Sequence, residues 1–213
     1  MTMAAPEGFL ASPRAFLAAI ALISPSGPSA GAQTALSVTV MGDPRDSRVA
    51  AVEDAVAFWN QELERLAASV RLGPVHVVDP TLSDRDLRDL SEEVKSRRGE
   101  RKLEALIDRI PGDVIVALSG VDLVSYAVPR RSGIRGFIAL RRSDIKPLSL
   151  PNVARNTAAH ELGHVLGLEH NADPSTLMCG RPAPCRPSGF ASDTGRFFPL
   201  TSSDERSLRA RWP

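Results

Sequence analysis

The chain has 213 residues, with 26 Lys and Arg against 25 Asp and Glu, for a net charge of +1. Neither sign dominates, so neither a nucleic-acid backbone nor an anionic membrane surface is indicated as a partner. No internal repeat is visible, and the length suits one monomeric domain with a sizeable core.

The first 32 residues read as a secretory signal peptide. Arg14 precedes a short apolar run, Ala15 to Ile23, and Ala30-Gly31-Ala32 forms an A-x-A cleavage site. The run is too short to span a bilayer, so no stable membrane anchor is expected. Cleavage would leave residues 33–213 as one domain in a secreted or periplasmic setting.

Leu36 to Val40 alternates like a strand, and Gly42-Asp43-Pro44 breaks it. Residues 47–69 carry an apolar stripe of Val49, Val52, Ala55, Val56, Trp59, Leu63 and Leu66, which predicts an amphipathic helix with Trp59 in the core. Val70 to Val78 is a second strand, and His76 within it reads as structural. Residues 82–110 are charged and helix-like, anchored by Leu87, Leu90, Val94, Leu103, Leu106 and Ile107. Arg97-Arg98-Gly99 is expected to part them into two helices.

Asp113 to Leu118 is apolar on both faces and predicts a central strand. Ser125–Val128 and Gly136–Leu140 add two more, with Pro129 to Gly133 between them. Residues 151–166 predict a helix whose apolar contacts come from Val153, Ala154, Ala158, Leu162, Val165 and Leu166. Near the end, Ser202-x-x-Glu205 reads as a capping box opening a last helix.

The chemistry concentrates at the end of the 151–166 helix. His160-Glu161-Leu162-Gly163-His164-Val165-Leu166-Gly167-Leu168-Glu169-His170 holds three of the four histidines in the order H-E-x-x-H-x-x-G-x-x-H. One helical turn separates His160 from His164, so both imidazoles can reach one ion. Glu161 lies beside the first ligand but off its face, where it can meet a water. Gly167 can adopt the left-handed conformation that ends a helix, letting the chain return with His170 as a third ligand. Three neutral imidazoles leave a tetrahedral Zn²⁺ one open position, the mark of a catalytic rather than a closed structural site. Chance matches at these five positions have odds on the order of one in several hundred thousand.

This segment resembles the metzincin metallopeptidases, and Asn171-Ala172-Asp173-Pro174-Ser175-Thr176-Leu177-Met178 is similar to their matrixin subgroup. The resemblance is close over about residues 153–178. It implies an α/β zincin-like fold: a twisted mixed sheet with an antiparallel edge strand near 125–128, packed on the zinc helix, and a C-terminal helix. It also implies that Met178 forms an apolar floor beneath one catalytic zinc held by His160, His164 and His170.

Zinc-dependent hydrolysis of a protein or peptide substrate follows as the expected activity, with Glu161 as general base. The alternative is a non-catalytic module that grips peptides on the same scaffold. Cys179 and Cys185 are the only cysteines. Export would permit a disulfide between them; two reduced thiols, or a thiolate on the zinc, are the other readings.

The chain departs from matrixins in several ways. Cys179-Gly180 stands where a tyrosine and proline usually follow the methionine. The only tyrosine is Tyr126, so no later tyrosine can serve as a ligand. No cysteine-switch propeptide, structural-zinc histidines or aspartate-rich calcium loop is evident. Segment 179–190 is expected to form the wall for the residue after the cut, with Arg181 and Arg186 as candidates to favour an acidic residue there.

Overall fold

The computed structural model describes residues 33–79, 82–95, 100–131, 135–180, 185 and 195–213. The expected signal peptide, the 97–99 break between helices, and Arg181 and Arg186 lie outside them. Within them the order is β1 (Thr34–Met41), α1 (Ser47–Arg65), β2 (Val70–Val78), α2 (Asp84–Lys95), α3 (Glu100–Ile107), β3 (Val114–Leu118), β4 (Tyr126–Val128), β5 (Gly136–Leu140), α4 (Pro151–Val165) and α5 (Ser202–Arg211). The strands form one mixed sheet in the order β2-β1-β3-β5-β4. Four strands run parallel, and β4 alone pairs antiparallel, with Tyr126 opposite Ala139 and Val128 opposite Phe137. The mixed sheet with its antiparallel edge is the α/β architecture expected from the sequence.

Side-chain alternation sends each strand into two cores. On one face Leu36, Val38 and Val40 of β1 and Val114 and Val116 of β3 meet the stripe of α1 and the apolar positions of α4. On the other face Met41, Ile115, Ala117 and Phe137 meet Leu87, Leu90, Leu103 and Ile107 of α2 and α3. β3 is therefore covered on both sides, as its unbroken apolar run requires.

All seven residues of the predicted α1 stripe are buried, and Trp59 is fully so. Burying a side chain of Val or Leu size contributes about 1.5–3 kcal/mol, so this face sets the position of α1. The Trp59 indole N–H donates to the Ala159 carbonyl at 2.8 Å, tying α1 to the middle of α4. His76 is exposed on β2, the strand at the sheet edge opposite β4.

The start of α5 corrects the sequence reading by one residue. The cap is Thr201, whose Oγ1 accepts from the Asp204 N–H, while the Asp204 carboxylate accepts from the Thr201 N–H at 2.8 Å. The run Thr-Ser-Ser-Asp-Glu offers both registers. Tertiary partners select one: Asn171 Nδ2 donates to buried Asp204, and Glu205 pairs with Arg65 instead.

Candidate metal centre and cleft

α4 begins with Pro151 at its first turn, where a missing N–H costs nothing. Buried Asn156 fixes the helix laterally. Its amide donates to the Arg196 carbonyl and its oxygen accepts from the Phe198 N–H. The helix ends at Gly167, which has φ of +100°. The Gly167 N–H donates to the His164 carbonyl and the Leu168 N–H to the Gly163 carbonyl, the paired bonds of a Schellman cap. The Trp212 indole then closes the end by donating to the Leu166 carbonyl.

The turn at Gly167 returns the chain so that three imidazoles converge. His160 Nε2 and His170 Nε2 are 3.1 Å apart, His164 Nε2 and His160 Nε2 3.1 Å, and His164 Nε2 and His170 Nε2 3.0 Å. The outer nitrogens explain the orientation. His160 Nδ1 lies 2.8 Å from the Leu177 carbonyl and His164 Nδ1 2.8 Å from the Leu168 carbonyl. A carbonyl only accepts, so each Nδ1 carries the proton and each Nε2 turns a lone pair toward the common point. Burial, reinforced by His170, lowers the His164 pKa below its ordinary value and favours the neutral, ligating form.

The donor set fits zinc. Tetrahedral bonds of about 2.0–2.1 Å would put neighbouring imidazole nitrogens about 3.3 Å apart, close to the spacing seen. His160, His164 and His170 are the only cluster of three or more candidate ligands among the described residues.

Behind the cluster, α4 and the Met178 turn are in close contact. A Cβ built on Gly163 would lie 2.6 Å from Met178 Sδ and 3.1 Å from Trp59, so only glycine lets both reach the helix. Met178 itself is fully buried. The segment after His170 runs beside this turn: the Asn171 N–H donates to the Met178 carbonyl and the Gly180 N–H to the Asn171 carbonyl. A Cβ on Gly180 would lie 2.1 Å from His170 Cγ, so the ring rests directly on the backbone there. Cys179 and Cys185 are joined by a disulfide with a Cα–Cα distance of 5.6 Å. That rules out both reduced thiols and a zinc thiolate in this structure.

The histidines open onto a cavity of about 750 Å³. Its walls include Tyr126 and Ala127 of β4, Leu148 before α4, Val153 and Thr157 on α4, and Cys179, Gly180 and Cys185. Glu161 lines it too. Burial pushes its carboxyl up to about 8, because the charged form is desolvated. The Tyr126 hydroxyl is engaged elsewhere, donating to the Leu87 carbonyl at 3.1 Å.

One charged residue of the cleft was not singled out from the sequence: Arg141. Its signal was its place one residue beyond an apolar strand that pairs with the antiparallel edge. Arg181 and Arg186 lie outside the described residues, but Cys179, Gly180 and Cys185 of the same segment do line the cavity.

The pattern of the matrixin peptidase family matches residues 142–190, the stretch that carries α4, the three histidines and the disulfide. This segment is thus similar to a metallopeptidase family. No curated protein sequence matches the chain. Among solved structures, archaemetzincin from Methanopyrus kandleri is similar at 15% identity and a TM-score of 0.49, over 85% of this chain and 96% of that one. Among the described residues no helix is long and apolar enough to cross a membrane.

Proposed function

We propose that the chain is a zinc-dependent endopeptidase, and that residues 33–213 are its catalytic domain. The observation that carries this is the convergence of three Nε2 atoms beside a buried carboxyl at the wall of one cleft. His160, His164 and His170 would hold a single zinc. When bound, zinc supplies Lewis acidity, lowering the pKa of a water and polarising a carbonyl.

The chain's own groups do the rest. Glu161, as its carboxylate, takes a proton from the attacking water and delivers it to the departing amine; burial raises its pKa, which favours the delivery step. Among the described residues β4 pairs with β5 alone, so its other edge can take the main chain of an extended peptide. Gly167 and Met178 support the histidines, one by turning the chain and the other by filling the space behind Gly163. Residues 1–32 would direct export to the periplasm or medium, and the disulfide supports an oxidising compartment.

Metal analysis of the purified mature form should find one zinc per chain, lost in His164→Ala. Hydrolysis of a general protein substrate should stop with a zinc chelator and return with zinc. A chain that binds zinc yet cleaves nothing is a binding module instead. One that binds no zinc ends the proposal.

A further inference from the structure

Apart from the histidines and Glu161, the described walls of the cleft are uncharged except for Arg141. This arginine is held in place by its backbone. Its N–H donates to Ser125 Oγ at 3.1 Å, and its carbonyl accepts from Arg48 Nη1 at 2.9 Å. Arg48 is itself buried and bonded to the Ser119 and Leu140 carbonyls, so the ends of β3 and β5 are locked together.

Arg141 Nε lies 2.6 Å from Asp122 Oδ1, a carboxylate whose side chain is 59% exposed. The terminal nitrogens Nη1 and Nη2 make no hydrogen bond to any described residue. Nε makes no hydrogen bond in its contact with Asp122, which acts only as a nearby counter-charge. Nη1 and Nη2 remain a planar pair of donors, the geometry that matches the two oxygens of a carboxylate. Pro147, Leu148 and Val153 line the same cleft, so apolar neighbours surround such a pair on one side.

We propose that Arg141 recognises a carboxylate of the peptide lying in the cleft, at the subsite beside the start of β4. The inference rests on the peptidase reading and gives it a substrate class. The carboxylate has two possible sources, an Asp or Glu side chain or the free C-terminus of a short peptide. Arg141 would act in binding rather than in the bond-breaking step.

The test profiles zinc-loaded wild type on peptides that place Asp, Glu, Asn or Gln at each position, with free or amidated C-termini. Charged hydrogen bonds are strong enough that one position should prefer a carboxylate over its amide by about tenfold. Loss of the preference on C-terminal amidation assigns it to the terminus; persistence assigns it to a side chain. The preference should shrink in 1 M salt, to which an apolar pocket would be indifferent.

Arg141→Gln should bring the preference to within about twofold, and Arg141→Glu should reverse it toward Lys. Wild type without a carboxylate preference overturns the proposal, and this result needs no variant to fold. So does a preference unchanged in both variants. Anisotropy of labelled peptides on Glu161→Gln separates the two readings. Carboxylate-selective binding with no cleavage by wild type ends the peptidase reading and keeps this one; cleavage without selectivity does the reverse.

Discussion

Replacing Gly180 by alanine should cost the protein its third histidine. The residue is buried, and its φ is not in the left-handed region, so the demand for glycine is one of space alone. A Cβ there would stand 2.1 Å from His170 Cγ and 2.5 Å from both Cδ2 and Nδ1. Ordinary contact begins near 3.4 Å, so ring and backbone must part by about 1.3 Å. The backbone side cannot yield easily, because the Asn171–Met178 and Gly180–Asn171 hydrogen bonds and the Cys179–Cys185 bridge hold it.

The ring must therefore move by several times the roughly 0.2 Å that zinc bond lengths tolerate. Disturbing even an outer-sphere partner of a ligand costs about 10–100-fold in metal affinity, and displacing a ligand should cost about 100-fold or more. Overpacking adds about 1–3 kcal/mol of destabilisation, which lowers Tm of a domain this size by about 2–4 °C per kcal/mol. Competitive zinc titration against a chelator measures the first effect, and thermal melting of the metal-free protein measures the second. A Gly180→Ala variant that binds zinc with wild-type affinity would refute the steric argument.

Three further outcomes are expected. Glu161→Ala should keep the zinc and the fold while hydrolysis falls by about 10²–10⁴-fold or more, and near-normal turnover would remove Glu161 as the general base. Exported protein should show no alkylatable thiol until reduced, by intact mass. The double variant Cys179→Ser/Cys185→Ser should lose about 2 kcal/mol, from the loop entropy of a six-residue separation, and an unchanged Tm would mean the turn is held without the bridge.

Much of this protein was legible in its sequence because it is written in local periodicities. The α1 stripe, the doubly apolar β3 and the H-E-x-x-H-x-x-G-x-x-H order each depend on spacing along one element, and spacing determines which face a side chain takes. Gly167 belongs with them, since a positive φ at a helix end is a local demand.

Other features were decided only by packing between distant segments. Both cap registers at 201–205 are locally sound, and Asn171 and Arg65 selected the one that forms. Gly163 and Gly180 look interchangeable with alanine until Met178 and His170 are placed against them. Arg141 is one of many arginines in the sequence, and it becomes a feature of the cleft only because β5 pairs with β4 and Arg48 fixes the strand end. Periodicity tells a residue which way to face; what it faces depends on the closure of the whole chain.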